Sequence, residues 1–307
     1  MKVVVLDSLF ASLEIEEEVG RSHGDSVIAW DGSKEALADA DVVAHVRTRI
    51  DSDLIAAMPR CRVIARFGTG LDTVDVAAAR AAGIEVVGVR DYCLPELASQ
   101  TLLLAFALSR RLFGTARDRE ANWESVAERA PIYRRAQAVV VGLGAVGTRV
   151  CVALTALGYE VTAVTRSGRR RAEAVGVRTA PLDEALPVGD TVFLHCALSE
   201  ETRGLIDASR LRLMKPGAIL VNTARLGLLD EEAVAAAVEH EVLGGLGLDA
   251  AIPAGSPLRR VIDHPNVLVT PHIGWYSEDS AAELRRRTIE DALRAARHVD
   301  DLEVSKR

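Results

Sequence analysis

The stretch AVVVGLGAVGTRVCVALTALGYEVTAVT, from Ala138 to Thr165, decides the fold. A short β-branched run meets Gly142, Gly144 and Gly147 in a GxGxxG spacing, a helical pattern follows, and a second β run closes the unit. The first glycine permits the tight turn, the second lets backbone approach a pyrophosphate, and the third lets helix pack on strand. Glycine turns between strand and helix also occur for structural reasons alone. Here both flanks fit, so a dinucleotide is expected along Gly142, Gly144, Ala145, Val146 and Gly147.

A site built for unphosphorylated dinucleotide places an acid about 20 residues on, against the ribose 2′-hydroxyl. This chain has Thr165, Arg166, Ser167, Gly168, Arg169, Arg170 and Arg171 instead. Guanidinium and hydroxyl groups suit a 2′-phosphate, which an acid would repel. The expected cofactor is therefore NADP(H), with NAD(H) as the other possibility. Arg170 and Arg171 also read as solvation of the next helix.

Working outward, β-branched runs alternate with Ala-rich helical patterns on both sides of this unit. KVVVLD, SVIAW, DVVAHV, CRVIARF and IEVVGV precede it; DTVFLHC, GAILVNT, LGGLGLDA and NVLVTP follow. Such alternation predicts two α/β modules, each a doubly wound parallel sheet. Gly83 reads as a helix stop, and ELASQTLLLAFALSRRL as one long helix from about Pro95 to Leu112. A polar passage runs from Thr115 to Arg135. SEDSAAELRRRTIEDALRAARHV reads as a single amphipathic helix, N-capped by Ser277, that returns to the first module.

Composition narrows the function classes. The 307 residues are 49% hydrophobic and 26% charged, with net charge -7, so neither nucleic acid nor an anionic membrane is an expected partner. MKVVVLD reaches a charge at Asp7, too soon for a signal peptide, and uncharged stretches such as Leu97 to Ser109 fall short of the roughly 18 residues of a membrane span. Cys61, Cys93, Cys151 and Cys196 are far apart with no CxxC, so no metal site is expected. A cytoplasmic setting is the expectation.

FGTGLDTVD (from Phe67), the GLGAVG turn, HCALSEETRGLIDASRLRLMKPGAILVNTARLGLLDEEAV (from His195) and NVLVTPHIGW (from Asn266) together resemble the D-isomer-specific 2-hydroxyacid dehydrogenases. RTRIDSDLI with HIGWYSE is most similar to the branch that includes the C-terminal-binding-protein corepressors. The resemblance implies a flavodoxin-like substrate-binding domain split between residues 1–95 and 277–307, around a Rossmann domain at 96–276, and a homodimer. It implies that Arg225 grips the substrate carboxylate and that His272 protonates the carbonyl oxygen. Gly68, Thr69 and Gly70 match the loop that holds the carboxylate, and Asp249 the acid that orients the nicotinamide. Thr101, Cys196, Ala197, Thr202, Thr223, Ala224, His272 and Gly274 complete the implied cofactor contacts, beside Thr165, Arg166, Ser167 and Arg169. Arg47, Arg66 and Trp275 are implied pocket walls, although a tryptophan there could also pack under a helix start. The substrate is then a small 2-oxo or 2-hydroxy acid.

One position departs from the family. Its third catalytic group is a glutamate bonded to the histidine, and Ala254 occupies that place, between Ile252, Pro253 and Gly255. A carboxylate beside a histidine favours the imidazolium. Three readings stay open: a reductase working at lower pH, another acid moved in from Glu278 or Asp279, or a reaction needing little proton transfer. The rival to an enzyme is a dinucleotide-binding regulator or scaffold.

Overall fold

The structure, a computed structural model, describes residues 1–117 and 136–304. Most of the polar passage therefore lies outside the described residues. The chain divides into two compact units, Met1–Tyr92 with Ser277–Arg307, and Cys93–Tyr276.

The first unit has strands β1 (Lys2–Val5), β2 (Ser26–Ala29), β3 (Val42–His45), β4 (Val63–Arg66) and β5 (Glu85–Gly88). They pair in parallel in the order β2-β1-β3-β4-β5. Helices α1 (Glu14–Ser22), α2 (Lys34–Ala38), α3 (Ser52–Ala56) and α4 (Val76–Ala81) connect them. Ser33, Asp51 and Asp75 accept from N–H groups of the first turns of α2, α3 and α4. Gly83, at φ +76, follows the end of α4 as its stop.

Cys93–Tyr276 starts with α5 (Leu94–Ser109) and continues with β6 (Gln137–Val141), α6 (Ala145–Ala156), β7 (Glu160–Val164) and α7 (Arg169–Ala174). Then come β8 (Arg178–Thr179), β9 (Thr191–Leu194), α8 (Ala208–Leu213), β10 (Ala218–Asn222), α9 (Glu231–Glu239), β11 (Leu243–Asp249) and β12 (Val267–Thr270). The seven strands are parallel in the order β12-β11-β10-β9-β6-β7-β8. Their centres are sealed on both faces: Val139, Val140, Val192, Phe193, Leu220, Val221, Leu246 and Leu248 are all 0% exposed. Such continuous apolar runs are what parallel strands covered by helices require, each large side chain contributing about 1.5–3 kcal/mol.

The closing helix, α10 (Glu278–Val304), packs on α1, β3 and β4 within the first unit. Ser277 caps it, its Oγ accepting from the Ser280 N–H at 3.0 Å.

Two sequence expectations need correction. The long helix ends at Ser109 rather than near Leu112, because Arg111 adopts φ +49, and a separate turn of helix covers Leu112–Arg117. The two-residue edge strand β8 was not expected; two residues carry no readable alternation.

Candidate active site

In the second unit the candidate residues gather at the carboxyl ends of the strands, the edge where open parallel sheets bind ligands. β6 ends at Val141 and turns through Gly142 at φ +98. A Cβ on Gly142 would lie 2.5 Å from the Cys196 backbone nitrogen, and one on Gly147 would lie 2.1 Å from the Gly142 carbonyl. Packing alone thus demands the outer two glycines. At Gly144 a Cβ would meet nothing within 4 Å, so no neighbour in the chain requires that glycine. Gly144 is also the N-cap of α6, which has no side-chain cap and no acid in its first turn. The N–H groups and dipole of this helix start suit an anion of the size and charge of a pyrophosphate.

Past β7, the Thr165 hydroxyl accepts from the Gly168 N–H at 2.9 Å and closes a tight turn. Arg171 does more than solvate its helix: it donates to the Leu143 carbonyl at 2.7 Å, inside the glycine turn. Arg166 pairs with Glu201. Ser167, Arg169 and Arg170 lie on the turn and the first residues of α7, exposed. After β9, Thr202 accepts from the Ser199 N–H at 2.8 Å and donates to the Ala197 carbonyl at 2.7 Å, shaping the loop that begins at Cys196. Burial pushes the Cys196 thiol pKa upward.

Thr101 and Thr223, both implied cofactor contacts, lie against each other. Their hydroxyls bond each other at 2.8 Å, and the residues are 0% and 3% exposed. They tie α5 to the end of β10. Asn222 brackets the following turn, accepting from Ala224 N–H at 3.0 Å and donating to the Arg225 carbonyl at 2.9 Å. Arg225 in turn donates to the Ala224 carbonyl at 2.9 Å.

Asp249 ends β11 opposite Thr270 at the end of β12. Its carboxylate, in a residue 1% exposed, accepts from Thr270 Oγ1 at 2.6 Å and from the Ile273 and Gly274 N–H groups at 2.8 Å each. Gln100, from α5, donates to Thr270 Oγ1 at 3.0 Å, which directs the hydroxyl proton toward Asp249. The acid assigned to the nicotinamide is thus committed to the turn that carries His272. That residue sits at φ +62, and the Trp275 indole N–H donates to its carbonyl at 3.1 Å.

His272 Nδ1 lies 3.3 Å from the Asp249 carbonyl oxygen. Among the described residues no carboxylate bonds or pairs with the ring. Ala254 is exposed in the loop after β11, and Glu278 and Asp279 stand in the first turn of α10. A backbone carbonyl therefore orients the imidazole, with no formal charge behind it.

In the first unit, Gly68 at φ +131 has the Arg66 guanidinium against it, 2.1 Å from where a Cβ would stand. Thr69 donates to the Val89 carbonyl at 2.8 Å, and Val89 N–H to the Gly68 carbonyl at 3.0 Å. This loop of Gly68, Thr69 and Gly70 is pinned through its oxygens, leaving the amides of Thr69 and Gly70 without an acceptor among the described residues. Arg47 is exposed, while its own N–H is held by Asp7 at 2.7 Å. Burial raises the Asp7 carboxyl, but the N–H groups of Val46, Arg47 and Thr48 outweigh it and hold the pKa below the usual range.

The bonds of Gln100, Asn222, Thr270, Arg171 and Asp7 escaped sequence reading. Gln100 left a signal, the one amide in the mostly apolar run LASQTLLLAFAL, and Asn222 bonds within its own NTAR motif; the Arg171, Asp7 and Thr270 partnerships span 28, 40 and 21 residues, which no local pattern reveals.

Residues 102–274 match the family described as D-isomer specific 2-hydroxyacid dehydrogenase, NAD binding domain. A putative 2-hydroxyacid dehydrogenase of Haemophilus influenzae is 34% identical over 81% of this chain and 82% of its own length. The chain belongs to this family. A glycerate dehydrogenase of Methylorubrum extorquens is 31% identical, over 84% of this chain and 83% of its own length. The D-lactate dehydrogenase of Aquifex aeolicus, solved with NAD and lactic acid, superposes with a TM-score of 0.86 at 23% identity, covering 98% of this chain and 96% of that one. As a member of the 2-hydroxyacid dehydrogenase family the protein is an NAD(P)-dependent oxidoreductase. The regulator or scaffold reading finds no support in these relatives. Among the described residues no helix is long and apolar enough to cross a membrane.

Proposed function

We propose that this chain is an NADP(H)-dependent reductase of a small 2-oxo acid, working with Arg225 and His272 and without the family's glutamate. The observation that carries the cofactor reading is the turn after β7. It holds no acid, and Thr165, Arg166, Ser167 and Arg169 follow one another there, with the Arg171 guanidinium on the glycine turn itself. A 2′-phosphate gains charge-assisted bonds in such a setting.

Bound nicotinamide supplies the hydride. The chain supplies the rest. Arg225 holds the substrate carboxylate, offsetting charge beside the reacting carbonyl. His272 delivers a proton to the carbonyl oxygen as negative charge develops there. Nδ1–H donation to the Asp249 carbonyl leaves Nε2 for this exchange: the ring gives its Nε2 proton as the imidazolium and is left as the neutral Nδ1–H tautomer. The unit formed by both chain ends contributes Gly68, Thr69, Gly70 and Arg47 to substrate binding, and the second unit contributes Trp275. Leu103, Leu112 and Phe113 remain 56%, 48% and 49% exposed, apolar surface that supports a homodimer.

The test is oxidation of NADPH and NADH, followed by absorbance, against a panel of 2-oxo acids from acid to alkaline pH. A higher kcat/KM with NADPH is expected, and a preference for NADH overturns the cofactor reading. Arg225→Ala should abolish turnover while NADPH affinity stays within about twofold of the parent. Loss of NADPH binding in that variant contradicts the assigned role.

A further inference from the structure

The loop after β9 carries an acid in a telling place. Glu201 pairs with the Arg166 guanidinium. Arg166 follows β7 and Glu201 follows β9, and β6 lies between those strands in the sheet. The pair therefore bridges over the Gly142–Gly147 turn that follows β6. Arg169 and Arg170 have no carboxylate partner among the described residues, and Arg171 is engaged by the Leu143 carbonyl. Glu201 is thus the carboxylate ion-paired with this cationic turn, among the described residues.

Both side chains are open to solvent, 84% and 71% exposed. Pairs of this kind are weak and exchange partners readily. An incoming 2′-phosphate must take Arg166 from Glu201 and then sit near the displaced carboxylate. An unphosphorylated ribose makes neither demand.

We propose that Glu201 is a specificity-determining residue that restrains the preference for phosphorylated dinucleotide by neutralising Arg166. This rests on the reading that the turn after β7 is the ribose end of the cofactor site. Glu201 lowers affinity for NADPH selectively, and its effect passes through Arg166. Salt weakens the effect, because the competing groups are exposed.

The experiment is titration of the whole protein with NADPH and NADH, read by reduced-nicotinamide fluorescence, for the parent, Glu201→Gln, Arg166→Gln and the double variant. Glu201→Gln should tighten NADPH binding about fivefold and change NADH binding by less than about twofold. In the Arg166→Gln background the same change should give no selective gain. Equal effects on both cofactors, or a selective gain that persists without Arg166, overturn the proposal. A parent that prefers NADH, with a selective NADPH gain in Glu201→Gln, defeats the proposed preference and upholds this inference. A parent that prefers NADPH, with no selective gain, does the reverse.

Discussion

The two sheets start alike and diverge within three residues. Val3–Val5 leads into Leu6 and Asp7, whereas Val139–Val141 leads into Gly142, Leu143 and Gly144. In the first sheet Asp7 turns to the neighbouring loop and receives the N–H groups of Val46, Arg47 and Thr48 at 2.9, 2.7 and 3.3 Å. In the second, no side chain caps α6 and its first turn has no acid. Parallel sheets collect unpaired amides at the carboxyl edge, and a chain can answer them from its own sequence or leave them for a ligand. One carboxylate decides which.

The sharpest way to break this contrast is to give the second sheet what the first has. Gly144→Asp adds a side chain where the chain leaves room, at φ -78. NADPH affinity should fall on the order of 100-fold, from like charge against the pyrophosphate. The fold should hold, since an aspartate in place of an N-cap glycine stabilises a helix by roughly a few tenths of a kcal/mol. Unchanged NADPH affinity in a fluorescence titration would mean the helix start is not the phosphate site.

A second comparison concerns one histidine in each unit. His45, 0% exposed with both ring nitrogens unpartnered, has its pKa pushed by burial from 6.5 down to about 4. His195, half-buried with Nε2 sealed off, is likewise pushed down to about 4 by burial. An unfolded histidine takes a proton near 6.5 that the folded one refuses until about 4, so acidification through that window favours unfolding. For His45 the loss should approach about 3 kcal/mol at the acid end, and nothing is lost above neutrality. His195 should contribute less, being closer to solvent. Denaturant midpoints against pH check this: His45→Leu should flatten part of the slope, and an unaltered slope rejects the assignment.

Removing the first sheet's own anion gives a smaller effect. Asp7→Asn should cost about 2 kcal/mol in urea unfolding, reduced from the sum of three charge-assisted bonds because Asp7 is partly solvated. That cost should fade on acidification through the lowered pKa of Asp7, where the parent carboxylate is protonated as well. A cost that is the same at every pH points to shape rather than charge.

The mildest change tests Asp249, the buried carboxylate at the end of β11. Thr270→Val deprives Asp249 of a donor worth about 1 kcal/mol, so kcat should drop about fivefold. NADPH affinity should not move. A parallel loss of affinity would show that Thr270 serves the cofactor rather than the His272 turn.

Much of this was legible in the sequence because it is local. Alternating β-branched runs and the glycine spacing are set by chain neighbours, and all eleven expected strands are present. Arg225 and His272 stood out through motifs whose residues lie side by side. What the sequence hid is long-range or directional. Thr101 and Thr223 are both hydroxyls in the expected elements, yet their rotamers close on each other inside the fold. Asp249 reads as a ligand-facing acid, and its bonds to Thr270, Ile273 and Gly274, more than twenty residues on, leave no trace in the local sequence. The end of α5 depends on a left-handed Arg111, a choice no glycine announces.

His272 occupies a left-handed backbone that a glycine would adopt without steric cost. His272→Gly would therefore relieve the torsion angles while removing both ring nitrogens, so that backbone ease and imidazole chemistry are set against each other at one position.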